Sequence, residues 1–467
     1  MKLVFFGGGS HRYLSIARSV MAVPGLMENG EINLYDLAVE RAEAVGQLAM
    51  KSPEFKDAAC RITWGTTLDE ALDGADVVFV VLMAGSRRNF AQLCDASAPH
   101  GFMASDQLSP SGAMLALKGG PILLDLAQRM EKLCPQALLA DYANPVAVLS
   151  AVVNNHTKIK CMGVCGGYTN HLWDLPRLLF GRDEELTDFD IRCAGVNHMS
   201  FILPGSTWRG RDLYEIAAER ITADWQAPTL SDRWPAGTKA NIASSVETLV
   251  RFYRKYGYLV FSSEGDGLDH LDIEGRYLAG QKSVKPHSTE ELDQRDREFR
   301  AGRAEADRQF NAWLNIELDE TAWNTERPEA LYLLRTDEDI MVKIAKAAGG
   351  VEDMLIASSR PNGGAVRGFK DRTVLEYSQV LSRDGIRAAG TFEVPDVFQG
   401  LVSGLAMHQT LLGDAIATHD PRILFEALYS YPVKQDTAES KALWRDLLAI
   451  AAPEIPEVFQ QTREMFS

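Results

Sequence analysis

Lys2-Leu3-Val4-Phe5-Phe6 runs straight into Gly7-Gly8-Gly9-Ser10, and this junction decides the fold. The apolar run has strand length and is closed by glycines. Leu14, Ile16, Ala17, Val20 and Met21 then recur at helical spacing, and Glu31 to Tyr35 forms a second apolar run ending at Asp36. Strand, glycine turn, helix and strand make one βαβ unit.

Outward from that unit the alternation continues. Ala38 to Met50 reads as a helix, Arg61 to Trp64 as a strand, Leu68 to Leu72 as a short helix and Val77 to Leu82 as a buried strand. A helix at Ile122 to Leu133, a strand at Ala137 to Ala140, the turn Asn144-Pro145 and a strand at Cys161 to Cys165 follow. The rhythm changes near residue 190: Arg192 to Leu203 is strand-like, Thr207 to Trp234 reads as a loop, and helices are expected at Ser245 to Tyr256 and Glu290 to Leu318. The fold class is therefore α/β. A doubly wound, Rossmann-type parallel sheet over residues 1–190 packs on a mixed α+β part over 191–467, an architecture like that of lactate dehydrogenase.

The remaining composition excludes more than it assigns. With 48 basic and 64 acidic residues the net charge is −16, which disfavours nucleic-acid and membrane partners. The longest apolar stretch, Val77 to Ala84, is far short of the roughly 20 residues of a spanning helix. The start Met1-Lys2 resembles a signal peptide, but Gly7 cuts its apolar part too early. Six scattered cysteines suit a reduced, cytoplasmic protein.

Gly7, Gly8, Gly9 and Ser10 are placed to let a pyrophosphate approach the backbone, where free N–H groups at the helix start hold its charge. The usual third glycine is replaced by Arg12. Asp36, at the end of the second strand, is placed to accept a ribose 2′-hydroxyl and to repel a 2′-phosphate, which favours NAD over NADP. The plain alternative is an ordinary turn with Asp36 as a cap. Asn144, Cys165 and His198 lie at or near strand ends, where a parallel sheet gathers its ligands; Cys and His bind divalent metals, and Asn binds hydroxyls. Taken singly, each is more often simply buried.

Longer strings carry a resemblance. They are Phe6 to Ser10; Asp106-Gln107-Leu108-Ser109-Pro110-Ser111-Gly112; Asp141-Tyr142-Ala143-Asn144-Pro145; Gly163-Val164-Cys165; Arg192 to Met199 with Asn197-His198; and Tyr256-Gly257-Tyr258 before Ser262-Ser263-Glu264. In order and spacing the chain resembles the family-4 glycoside hydrolases, closest to the melibiase-type α-galactosidase and α-galacturonidase branch. The resemblance implies an NAD- and divalent-metal-dependent glycosidase, with Mn²⁺ as the expected ion and a homodimer or homotetramer as the expected assembly. In such enzymes NAD⁺ oxidises the sugar at C3, a base removes the C2 proton, the C1 substituent leaves, water adds and NADH restores C3, so the two-carboxylate route does not apply. It further implies Cys165 and His198 as metal ligands, Asn144 as a metal or substrate contact beside the cofactor, and Tyr258 as the C2 base.

Two departures stand out. The family carries Asp or His after its metal-binding Cys, placed to protonate the leaving group; here that position is Gly166. Asp106, Tyr168 and Asp266 are the substitute candidates. The family's Glu-His after Ser-Ser is here Glu264-Gly265. Arg87 and Arg88 offer a second reading, recognition of an anionic sugar such as a uronide, sulfonated or phosphorylated hexoside. The remaining alternatives are a 2-hydroxy-acid-type dehydrogenase, which would consume NAD⁺, and a non-catalytic NAD sensor.

Overall fold

The computed structural model describes residues 1–102, 105–183, 188–232, 236–261, 267, 285–319, 322–323, 339–432 and 437–466, apart from the side chains of 167–173, 237–238, 241, 244 and 437. The strands are β1 Lys2–Phe6, β2 Glu31–Tyr35, β3 Arg61–Gly65, β4 Val77–Val80, β5 Leu138–Asp141, β6 Lys160–Gly163, β7 Phe189–Asp190, β8 Cys193–Val196, β9 Met199–Ile202, β10 Thr207–Trp208, β11 Arg211–Asp212, β12 Leu259–Phe261, β13 Met354–Pro361, β14 Val374–Ser382 and β15 Gly385–Ala388. Between the early strands lie the helices α1 Arg12–Met21, α2 Val39–Met50, α3 Pro53–Ala58, α4 Leu68–Leu72, α5 Arg87–Ser97, α6 Pro110–Leu133, α7 Val146–His156 and α8 Gly166–Phe180.

Twelve strands form one sheet in the order β12-β9-β8-β14-β13-β6-β5-β4-β1-β2-β3, with β15 beside β14. From β3 to β6 the pairing is parallel. Its order 3-2-1-4-5-6 reverses between β1 and β4, the switch point at which such sheets bind ligands beyond their strand ends. β13 joins β6 antiparallel, and the sheet continues past residue 190 as antiparallel strands. The parallel strands are buried on both faces: Leu3 and Phe5 of β1 enter one apolar cluster, and Val4 enters the other with Val78 and Leu139.

Four expectations change in detail. The strand foreseen over 192–203 is a hairpin, β8 and β9, turning at Asn197-His198. The strand foreseen over 161–165 ends at Gly163, so Val164 and Cys165 lie past it. α6 begins at Pro110, twelve residues before the expected start at Ile122, because residues 110–120 are buried on every side and show no polar face to mark a period. The stretch 207–234 contains a helix, Leu213–Arg220, capped by Asp212, whose side chain accepts from the amides of Tyr214 and Glu215. Among the described residues no helix is long and apolar enough to cross a membrane.

Candidate active site

A cleft of about 1280 Å³ opens at the switch point. Gly7 and Ser10 after β1, Asp36 and Leu37 after β2, and Val81 to Gly85 after β4 line it, together with Arg12, Arg41 and Tyr142. The glycines are required by space. Gly7 has φ +91°, and a Cβ there would sit 2.3 Å from the Val81 carbonyl oxygen; one at Gly8 would sit 2.7 Å from the Leu34 backbone. Asp36 reaches back to this turn: its Oδ2 accepts from the Gly9 amide at 2.8 Å and its Oδ1 from the Ala38 amide at 2.8 Å.

The backbone amides of the turn itself, Gly7 to Ser10, are already engaged. The amides of Gly7 and Gly8 donate to the Tyr35 carbonyl, that of Gly9 to Asp36 and that of Ser10 to the Gly7 carbonyl. Hydrogen bonds that shape the turn therefore consume them. Positive potential for an anionic ligand comes from the helix start, the place named from the sequence, and from the cleft-lining Arg12, Arg41 and Arg303. The helix Thr289–Leu314 forms the far wall through Phe299 and Arg303, tied to the sheet side where Asp307 meets Arg41 and His11.

Gly166 also lines the cleft, and Cys165 directly before it stands 3.3 Å, Sγ to Nε2, from His198. Thirty-three positions apart in sequence, they meet because Cys165 follows β6 and His198 tips the β8–β9 hairpin, two parts of one sheet. Asn144, past β5, lies beside them. Its Nδ2 donates to Asp106 Oδ2 at 2.7 Å and its Oδ1 accepts from Gln107 Nε2. The same Gln107 nitrogen lies 3.8 Å from Cys165 Sγ, and its Oε1 accepts from the Val146 amide at 3.2 Å. Asp106, Asn144, Cys165 and His198 thus come together as one group. Gln107, part of a quoted string but assigned nothing, is the clamp between them.

A second set of residues escaped the sequence reading. Glu376 on β14 is 2% exposed; it accepts from Asn197 Nδ2 at 2.8 Å and from Ser200 Oγ at 2.6 Å. Burial pushes its carboxyl above the usual range, and the Ser200 and Asn197 hydrogen bonds oppose that shift. These bonds hold a hairpin tip in which His198 adopts φ +64°, a left-handed conformation that costs a non-glycine residue about 1–2 kcal/mol. Gly195 allows the strands to close, since a Cβ there would lie 2.2 Å from the Met199 carbonyl oxygen. Glu376 closes the stretch Arg360 to Glu376, which follows the family's C-terminal pattern loosely, but its role depends on the pairing of β14 with β8, which spans 181 residues between Gly195 and Glu376.

Tyr258 is not part of the group. β12 runs antiparallel to β9 with Leu259 opposite Ile202 and Phe261 opposite Ser200, so Tyr258 falls at the end of the ladder away from His198. Five residues of strand separate the two levels, roughly 16 Å. Its ring packs against Phe201 and Phe398 instead. The tyrosine that lines the cleft near Cys165 is Tyr142, with the Arg12 guanidinium 5.3 Å from its ring centre. Burial pushes its phenol up to about 12, while the charge on Arg12 acts in the opposite sense. Arg87 and Arg88 are both engaged with the helix of the far wall: Arg87 lies 3.6 Å over the ring of the cleft-lining Phe299, and Arg88 pairs with Asp293 at 2.8 Å. Glu264, Gly265, Asp266 and the Tyr168 side chain lie outside the described residues.

The residues fit both expected groups. A glycine turn that excludes any Cβ, beside a carboxylate in a cleft of dinucleotide size, suits NAD. Thiol and imidazole at 3.3 Å are close enough to share one ion with bonds of about 2.0–2.3 Å. Among the described residues no cluster of three or more His, Cys, Asp or Glu side chains is arranged to hold a metal.

Comparison with known proteins agrees with this geometry. The pattern of the family 4 glycosyl hydrolases matches residues 2–175, and that of the family 4 glycosyl hydrolase C-terminal domain matches residues 193–433. An alpha-galacturonidase of Thermoanaerobacter italicus is 23% identical over 465 residues, covering 96% of this chain and 95% of its own. The 6-phospho-alpha-glucosidase from gut microorganisms, solved with NAD and Mn²⁺, superposes with a TM-score of 0.73 at 17% identity, covering 97% of this chain and 99% of that one. The 6-phospho-beta glucosidase of Thermotoga maritima, solved with manganese, NAD⁺ and glucose-6-phosphate, gives 0.71 at 16% identity over the same shares. Matched along nearly its whole length, the chain belongs to family 4 of the glycosyl hydrolases and is a glycoside hydrolase of that NAD-using family.

Proposed function

We propose that the chain hydrolyses an α-linked hexopyranoside by a redox-neutral cycle in which NAD⁺ lies in the switch-point cleft and a divalent ion, Mn²⁺ by preference, is held by Cys165 and His198. The observation that carries this reading is the Cys165–His198 pair, 3.3 Å apart and adjoining the cleft through Gly166. When bound, the nicotinamide removes and returns a hydride at C3 while the ion polarises the neighbouring sugar oxygens. Residues 1–190 supply the cofactor turn, and 191–467 supply His198 and its support.

The chain's own side chains divide the remaining work. Gln107 and Asp106 fix the amide of Asn144, which orients a sugar hydroxyl beside Cys165. Asp106 takes the place left by Gly166 and protonates the departing oxygen. The C2 base is Tyr142, the cleft-lining tyrosine that feels the Cys165 charge, rather than Tyr258. Arg12, which neighbours its ring, stabilises the ionised phenol.

An anionic sugar is the second reading, favoured by the end-to-end match to alpha-galacturonidases. Arg87 and Arg88 do not support it, because neither lines the cleft: one stacks on Phe299 and the other pairs with Asp293. A panel of nitrophenyl α- and β-galactosides, galacturonides and 6-phosphoglucosides, assayed with NAD⁺ and Mn²⁺, tests the proposal. Nitrophenol release from an α-hexoside or α-hexuronide is the expected result. Release from β-linked substrates alone, or without NAD⁺, would overturn it.

A further inference from the structure

We infer that the side-chain oxygen of Asn197 is a third protein ligand of the divalent ion, turned toward it by Glu376. The inference rests on the metal-dependent reading above and extends its donor set from two to three.

Asn197 directly precedes His198 at the hairpin tip and is 2% exposed. Its Nδ2 donates to Glu376 Oε2, but its buried Oδ1 has no hydrogen-bond partner among the described residues. Glu376 accepts on both oxygens, from Asn197 Nδ2 and from Ser200 Oγ, so the amide presents its NH₂ to the carboxyl and directs its oxygen elsewhere. Ser200 Oγ occupies the other carboxylate oxygen, which fixes Glu376 and through it the amide. A buried acceptor left without a donor is rare in folded proteins and calls for a partner. On the residue next to His198, a neutral amide oxygen is a hard donor that would complement the thiolate and imidazole on an ion such as Mn²⁺. The amides of Asn144 and Gln107 near the pair already have their oxygens engaged, on Gln107 Nε2 and on the Val146 amide. Glu376 is then a positioning residue, acting on the ion only through Asn197.

Co²⁺ titration of the whole protein, without sugar or NAD⁺, tests this. Thiolate-to-cobalt charge transfer reports Cys165, and the ligand-field bands report the full donor set. Asn197→Ala is expected to weaken Co²⁺ about tenfold or more and to shift the ligand-field bands while the thiolate band persists. Asn197→Asp, which keeps an oxygen donor, should bind within a few-fold of the parent. Glu376→Gln, which no longer dictates the amide's orientation, should weaken binding several-fold with NAD⁺ affinity intact. Unchanged Co²⁺ affinity and bands in Asn197→Ala would overturn the inference and leave the oxygen to a buried water. Should Asn197→Ala fail to fold, the bands of Asn197→Asp decide: identity with the parent overturns the inference, and a shift supports it. A parent protein that binds no Co²⁺, or a Cys165→Ser variant that keeps the thiolate band, would instead refute the metal reading itself.

Discussion

At Gln107 the polar atoms of one side chain are all engaged: Oε1 on the Val146 amide, and Nε2 on Asn144 with Cys165 also in reach. Gln107→Leu should therefore lower kcat about 10- to 100-fold, the cost usual for removing a group that orients a ligand, with little change in thermal stability. Unaltered kcat would leave Asn144 fixed by Asp106 alone. Cys165→Ser and His198→Ala should each abolish turnover while NAD⁺ titration and unfolding remain near those of the parent, because the two side chains come from the end of β6 and from the β8–β9 hairpin rather than from the glycine turn. The proton donor is separable by leaving group. Asp106→Asn should slow alkyl glycosides far more than nitrophenyl ones, since an acidic phenol departs with little protonation; equal losses would remove Asp106 from that role.

The elements show where sequence reasoning reached and where it stopped. β1, the glycine turn, α1 and β2 with Asp36 were legible because every signal is local: an apolar run, glycines, a helical period and a strand-ending carboxylate. Cys165 and His198 were legible as chemistry but not as neighbours, since their contact needs β6 and β8 in one sheet. Gln107 and Glu376 were hidden because their partners lie 37 and 179 positions away. Tyr258 was misplaced for the same reason: nothing in its own string fixes the register of β12 on β9. The β8–β9 hairpin gives this scale its test. In Gly195→Ala the new Cβ meets the Met199 carbonyl at 2.2 Å, so the strands must part. A loss of about 1–3 kcal/mol in urea unfolding is expected, together with weaker metal binding as His198 shifts. A variant of parental stability and metal affinity would show that the tip is not set by that close approach.

Across the molecule, one sheet carries the cofactor turn at its parallel half and the His198 hairpin at its antiparallel half, so stability and activity share a scaffold. His408 reports on its pH dependence. Buried between Tyr431 and Trp444 with Nδ1 on the Ala427 carbonyl, it is held by burial to about 4, against 6.5 when exposed. Between those values the unfolded chain binds the extra proton, so the stability contribution is full above about pH 6.5 and is lost as pH falls toward 4. At about 1.4 kcal/mol per pKa unit the loss approaches 3 kcal/mol. His408→Leu should flatten that part of the stability profile measured by urea unfolding; an unchanged slope would place the titration elsewhere. The central claim, a hydride taken and returned within one glycosidic cleavage, concerns the whole assembly of turn, pair and cleft. It is tested most directly by one reaction in D₂O with Mn²⁺ and a nitrophenyl glycoside in large excess over NAD⁺, followed for nitrophenol, NADH and the deuterium content of the sugar. The expected result is nitrophenol far exceeding the NAD⁺ supplied, no accumulation of NADH, and deuterium at C2 of the product. NADH rising in step with substrate consumed, or nitrophenol released with C2 still carrying its original hydrogen, would contradict it.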